Sequence, residues 1–368
     1  MTKNILLTGS TGFLGFYLAK RFLQDEDIKL ILLARPNGSL SARQRIERLF
    51  KQRCGKDEYN SITDRLEIVE GTITYPDLGL AKEEREKLSK EITTVFHSAA
   101  LAQFNVPYEK IKEINVNGTK NVLDFALQCL KNTSFESVNH ISTIAVSGTY
   151  RGIFYEESLD EEQGFRNTYE QTKFETEQLI QAYRTKGLNV NIFRPSAIIG
   201  DSQDGYAINF RVIYQPLRIF SLGIYKQIPA EGSIKYNLVP ADFLSDAIYL
   251  IYAHGHPHNQ TFHLTNTHEV TGDFILKTAS EFFGYPAPER IPLDDFDMNS
   301  LRGARRLLLE PYIPYFNHDQ IEYDNKGAMN ILGKNGFQWP KVDRKLLHTI
   351  FQFCLDAQFI TPENRIIL

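Results

Sequence analysis

An apolar run, Ile5-Leu6-Leu7, passes without a spacer into Thr8-Gly9-Ser10-Thr11-Gly12-Phe13-Leu14-Gly15, and Tyr17, Leu18, Phe22 and Leu23 then recur at helical spacing. A strand, a glycine turn and a helix within some twenty residues restrict what can follow more than any other stretch. Each glycine has a separate task. Gly9 permits the tight turn out of the strand, Gly12 removes the Cβ that would hold a ligand off the backbone, and Gly15 lets the helix pack closely on the sheet. The unpaired N–H groups that open the helix then face outward, where the helix dipole favours a pyrophosphate. A glycine pattern alone is weak evidence, but its place between strand and helix makes this one a dinucleotide site.

Strand and helix patterns alternate through the next two hundred residues. Strands are expected at 29–33, 66–69, 93–96, 138–141 and 190–193, with helices near 41–51, 108–130 and 167–186. This rhythm calls for an α/β fold, a Rossmann-type doubly wound parallel sheet with right-handed crossovers and helices on both faces. Ligands then bind beyond the carboxyl ends of the strands. After Gly200 the rhythm breaks. Residues 201–205 form a polar loop, and 208–222 is an apolar, Arg-studded stretch with the pattern of an amphipathic helix. Segments 236–239, 241–253 and 261–264 return to the sheet, and helices and Pro-rich turns follow from Val270. The expected division is a nucleotide-binding domain of residues 1–202 plus 234–268, with a smaller, mostly helical substrate lobe of 203–233 plus 269–368.

Composition narrows the class. With 42% hydrophobic and 23% charged residues among 368, the chain is an ordinary globular protein with room for one large domain and a lobe. Its net charge of −4 and lack of a basic stretch give no reason to expect nucleic acid. No apolar run approaches the roughly 18 residues of a membrane span. The first strand starts so near Met1 that no leader peptide is expected, and Cys54, Cys129 and Cys354 are few and far apart. A cytoplasmic protein with reduced cysteines is the expectation.

Several side chains carry chemistry. Arg35 follows the second strand, where NAD-preferring sites place an acid for the ribose 2′-hydroxyl; an arginine suits a 2′-phosphate, so NADPH is the expected cofactor. Arg43 and Arg45 on the next helix are candidates to reinforce it. Tyr169 and Lys173, at i and i+4, share one helical face, and a neighbouring ammonium is expected to draw a phenol's pKa toward the working range. Such a pair arises often by chance; its place after a nucleotide turn and the fifth strand gives it weight. Ser142 and Thr143 end that strand, where a hydroxyl can hydrogen-bond a substrate carbonyl oxygen. Small residues (His97-Ser98-Ala99-Ala100) end the fourth strand, as needed where backbone passes a nicotinamide ribose, and Arg194-Pro195-Ser196 ends the sixth as a wall. The alternate histidines His254, His256 and His258 have no local acid or cysteine to complete a metal site and read as a loop.

Together these motifs resemble the extended short-chain dehydrogenase/reductases. Within them the chain is similar to thioester reductase domains and fatty acyl reductases, the male sterility type of NAD-binding domain. Gly12-Phe13-Leu14-Gly15, residues 76–80 (Pro-Asp-Leu-Gly-Leu), His97 to Ala100 with Asn115-Val116-Asn117-Gly118-Thr119, Arg194-Pro195 with residues 200–205, and residues 239–243 (Val-Pro-Ala-Asp-Phe) carry the likeness, over about residues 4–265. The resemblance implies Thr143, Tyr169 and Lys173 as the catalytic set, aligning the family hydroxyl with Thr143 rather than Ser142. It implies an acyl thioester substrate on a phosphopantetheine arm, from an acyl carrier protein or coenzyme A. The cofactor-binding set is then Gly9, Thr11, Gly12, Phe13, Leu14, Gly15, Arg35, Arg45, Ala99, Ala100, Tyr169, Lys173, Pro195 and Ser196. Thr72 stands where the family often has an aspartate, which alters the expected adenine contacts. The sequence reads as a reductase unit without a carrier or adenylation domain, so an acyl donor is expected in trans. The tail, including 315–317 and 325–332, is only loosely similar to acyl reductases. Two other readings compete: an extended reductase or epimerase acting on a ketone, sterol or nucleotide sugar, and a non-catalytic NADP sensor or scaffold.

Overall fold

The computed structural model describes residues 2–211, 213–316 and 321–361. Seven strands form one parallel sheet: β1 (Lys3–Thr8), β2 (Ile28–Ala34), β3 (Leu66–Glu70), β4 (Thr94–His97), β5 (Ser137–Ile141), β6 (Val190–Pro195) and β7 (Thr261–Leu264). Their order is β7-β6-β5-β4-β1-β2-β3, so the chain reverses direction between β1 and β4. Register brings the functional ends level, with Thr8 opposite His97, His97 opposite His140, and Ile141 opposite Phe193.

The strands read as continuous apolar runs because both faces are covered. Alternate residues still part company. Ile5, Leu7, Leu30 and Leu32 face the layer holding α1 (Phe13–Phe22) and α2 (Ala42–Cys54), whereas Leu6, Ile31 and Leu33 face the layer holding α3 (Gly118–Cys129) and α4 (Thr168–Arg184). Each such buried side chain contributes roughly 1.5–3 kcal/mol. Ser41 and Gln44 start α2 with a reciprocal capping box.

The expected 108–130 helix is present but interrupted. A π turn, Glu113–Asn117, precedes α3 and swings Asn115 inward. Asn115 accepts from the Leu101 N–H at 2.7 Å and donates to the Leu101 carbonyl and to Thr172 Oγ1, so it ties the loop after β4 to α4.

The 208–222 stretch differs from expectation. Only α5 (Tyr214–Ser221) is helical, because Pro216 lacks an N–H and fits only a first turn. Residues 208–211 run irregularly ahead of it, and position 212 is outside the described residues. The next helix, α6 (Ala241–Gly255), joins the first core on the α1 side of the sheet. A second core gathers Leu217 and Phe220 of α5, Ile275 and Leu276 of α7 (Gly272–Phe283) and Leu347 and Phe351 of α8 (Arg344–Asp356). The helix Lys326–Lys334 returns to the first core through Ala328 and Leu332. Of the tail motif, Asn317 falls outside the described residues. Among the described residues no helix is long and apolar enough to cross a membrane.

Candidate active site

A cavity of about 1200 Å³ opens at the carboxyl edge of the sheet and continues into the lobe. Gly9, Gly12, Phe13, Leu14, Gly15, Ala100, Thr143, Tyr169, Lys173, Pro195 and Ser196 all line it. The glycine turn is as tight as the sequence requires. Gly9 has φ +78°, and a Cβ there would lie 2.6 Å from the Ala99 nitrogen; one at Gly15 would lie 2.1 Å from the Gly9 carbonyl oxygen. Ala99 therefore serves from beneath the turn, its N–H donating to Thr8 Oγ1. Two buried hydroxyls at this end, Ser10 Oγ and Ser196 Oγ, have no partner among the described residues, which fits a site completed by a polar cofactor.

Thr11 and Arg45 lie outside this cavity, in a neighbouring groove of about 220 Å³ with Leu40, Arg48, Leu49 and Gln52. Arg45 donates to Thr11 Oγ1 at 3.1 Å and to the Arg35 carbonyl at 2.6 Å. Burial, then the adjacent Arg35 charge, lowers the pKa of Arg45. Two guanidiniums drawn together in this way suit a dianion. Arg43, the other candidate, instead faces Glu47 at 3.9 Å on the exposed side of α2. Thr72 is used within its own turn, its N–H donating to the Leu78 carbonyl at 2.8 Å.

At the end of β5 the two hydroxyls part. Ser142 Oγ donates to Glu177 Oε1 at 2.5 Å, and Glu177 also takes the fork of Arg194, with Nη2 to Oε2 at 2.7 Å. Arg194 thus turns into the protein to hold a buried ion pair, leaving Pro195 and Ser196 as the wall. Thr143 caps the following turn by accepting from the Ala145 N–H, and its hydroxyl neighbours the Tyr169 phenol and favours its ionisation.

Asn167 caps α4 by accepting from the Glu170 N–H, and Glu170 accepts from the Arg166 N–H in return. Such a cap is worth about 0.5–2 kcal/mol and fixes the turn that carries Tyr169. The Lys173 ammonium donates to the Ile141 carbonyl at 2.7 Å and lies 3.3 Å from His140 Nε2. Its pKa falls to about 8 because it is buried, with Glu177 opposing. Tyr169 departs from the expected tuning. Burial pushes its phenol up to about 12, Glu170 adding to the rise and Thr143 and Arg211 opposing it. Lys173 is turned to the β5 carbonyl rather than to the phenol. Behind it, burial and then Lys173 hold His97 down to about 3 and His140 well below its usual value, so both rings are neutral.

Sequence reasoning missed four residues around Tyr169. Arg211 comes from the irregular stretch and donates to the Ala102 carbonyl. Phe104 stacks on Tyr315 with centroids 5.0 Å apart and lies 6.2 Å from Tyr169. Glu170 completes the group. Only it had a local signal, the Asn167-x-x-Glu170 spacing of a cap. Farther from the cofactor end, Ile208, Phe210, Leu217, Phe220, Ile275, Leu276 and Phe316 give the cavity an apolar lining. The three cysteines are unpaired thiols; burial pushes Cys129 and Cys354 up to about 12 and Cys54 to about 11. Among the described residues no cluster of three metal-ligating side chains occurs, and His256 simply ends α6 in a left-handed conformation.

A 3-2-1-4-5-6-7 parallel sheet with this glycine turn, and a Thr, Tyr and Lys converging at its carboxyl edge, defines an extended short-chain dehydrogenase/reductase. The chain belongs to the male sterility protein family of NAD-binding domains, whose model matches residues 7–248. It is 28% identical over 367 residues to one of the linear gramicidin synthase proteins of Brevibacillus parabrevis, covering 95% of this chain and 7% of that protein. It is 28% identical over 296 residues to a carboxylic acid reductase of Segniliparus rugosus, covering 72% of this chain and 24% of that protein. The chain thus spans a minor part of the length of these curated relatives. Its fold superposes on the terminal R domain of the myxalamid PKS-NRPS biosynthetic pathway with a TM-score of 0.83 and 26% identity, covering 98% of this chain and 92% of that one.

Proposed function

We propose that the chain is a cytoplasmic, NADPH-dependent enzyme that reduces an acyl thioester, presented by an acyl carrier protein or coenzyme A, to an aldehyde or alcohol. One observation carries the reading: the glycine turn, the Thr143–Tyr169–Lys173 group and an apolar trough line a single cavity. Relatives named as carboxylic acid reductase and synthetase-pathway R domains support it.

Gly9 to Gly15, supported from beneath by Ala99, would hold the pyrophosphate, Arg35 and Arg45 the 2′-phosphate, and Ala100, Pro195 and Ser196 would frame the nicotinamide end. When bound, NADPH supplies hydride. Lys173 has two of its three N–H directions occupied by Ile141 and His140, so the third is available to the nicotinamide ribose. Thr143 and Tyr169 hydrogen-bond the thioester oxygen, and Tyr169 gives it a proton as the carbonyl carbon is reduced. The resulting hemithioacetal breaks its C–S bond to leave an aldehyde and a thiol. A second round would give an alcohol. The pairing of Arg35 with Arg45 is what a sugar epimerase using NAD would lack.

NADPH consumption across a panel of acyl-coenzyme A and acyl-carrier thioesters, with released thiol counted in parallel, tests the reading. One thiol per NADPH at the aldehyde stage is expected. No thiol from any thioester would leave the fold standing and remove the function.

A further inference from the structure

Tyr315 belongs to the lobe, in the short helix Ile313–Phe316, yet its hydroxyl reaches the first turn of α4. It accepts from Asn167 Nδ2 at 2.5 Å and donates to Glu170 Oε1 at 2.7 Å. Asn167 caps the helix through the Glu170 N–H, and Glu170, with no exposed surface, also holds the Arg166 N–H at 2.8 Å. Tyr169 lies inside this ring of hydrogen bonds, one residue before Glu170. The Tyr315 ring has a second contact in the same place, stacking on Phe104, which in turn sits beside Tyr169. A single lobe residue therefore touches both the helical turn that bears the phenol and the aromatic wall beside it.

We propose that Tyr315 is a positioning residue for Tyr169: its hydroxyl closes the cap of α4, so the turn carrying the phenol is completed only when the lobe is seated on that helix. This rests on the reading of Tyr169 as proton donor. It also explains why a carboxylate is buried beside a phenol whose ionisation it opposes. The Glu170 oxygens are taken up by Tyr315 and Arg166, so the carboxylate organises the turn and does not bind ligand. The other charged or hydrogen-bonding groups facing Tyr169 are Arg211 from the stretch before α5 and Thr143 at the end of β5, Lys173 being turned to the Ile141 carbonyl.

Tyr315→Phe keeps the ring on Phe104 and removes only the hydroxyl. With NADPH and either dodecanoyl-coenzyme A or dodecanal, kcat should fall at least about tenfold through misplacement of the phenol. KM and the NADPH Kd should stay within about twofold. Amide hydrogen exchange needs no substrate: positions 169–172 should exchange faster in this variant, and the rest of α4 should not change. Unchanged kcat and unchanged exchange in Tyr315→Phe would overturn the inference, as would a loss of kcat matched by an equal loss of NADPH binding, which a merely structural contact would give. Tyr169→Phe is the control. Turnover surviving in that variant would refute the proton-donor reading itself, whereas its loss beside a fully active Tyr315→Phe would refute only the role of Tyr315.

Discussion

The cofactor end and the lobe end of the cavity are built by different rules. At the cofactor end, backbone does most of the holding: Gly9, Gly12 and Gly15 bring main chain to the ligand, and the four strand ends Thr8, His97, Ile141 and Pro195 are set by sheet register. At the lobe end, side chains from α5, α7 and the segment near Phe316 meet only because the chain folds back on itself. The first wall tolerates almost no change of residue type. The second asks only for apolar volume, and so it can differ among relatives without loss of the fold.

The largest effect should come where the two ends meet. Tyr169→Phe should lower kcat by about a hundred- to ten-thousand-fold, the worth of a positioned general acid, while fluorescence titration finds NADPH binding nearly unchanged. Near-full turnover would move the proton donor elsewhere in the cavity.

This asymmetry also sets what could be read from the sequence. Strand β1, the glycine turn and α1 are consecutive, so local pattern shows them directly, and the i, i+4 spacing of Tyr169 and Lys173 needs only a helix. What sets Ser142 apart from its neighbour Thr143 is not local. It depends on Glu177, thirty-five residues away, taking the Ser142 hydroxyl. Nor could Lys173's turn toward the Ile141 carbonyl be read, so burial rather than the ammonium governs Tyr169. In 208–222 the apolar pattern suggested one long helix, but Pro216 confines it to α5 and frees Phe210 and Arg211 to line the cavity. Tyr315 and Phe104 carry no local signal, because each gains its role from contacts across the lobe boundary.

Acid should separate the two ends next. His97, His140 and His263 are buried neutral on β4, β5 and β7, each with its pKa held below the usual value first by burial. The unfolded chain takes up these protons before the folded one, so their contribution is present above about pH 6.5 and is lost as pH falls. The loss should reach about 1.4 kcal/mol per pH unit for each histidine. Hydrogen exchange between pH 7 and 5 should show the sheet losing protection ahead of α7 and α8. Uniform loss would mean that the histidines do not set acid stability.

A smaller change is expected at the adenosine end. Arg35→Asp should weaken NADPH binding by about 1.5–3 kcal/mol and narrow or reverse the preference over NADH. Equal Kd values for the two cofactors in the unmutated protein would contradict the role given to Arg35 and Arg45.

The smallest step belongs to the lobe. Each added methylene of an acyl chain should improve kcat/KM by roughly 0.8 kcal/mol, about fourfold, until the trough is full. Leu217→Arg should flatten that series without altering the NADPH Kd. A flat series in the unmutated protein would mean that the apolar lining serves packing alone.

The claim that both ends of the cavity act on one substrate has a direct test. NADPH deuterated at the nicotinamide C4 position that donates the hydride is incubated with the protein and an acyl thioester, and the products are weighed by mass spectrometry. One deuterium on the former carbonyl carbon of the aldehyde, or two on that of an alcohol, is the expected result. Thiol release with an unlabelled acyl product would show hydrolysis instead of reduction and would contradict it.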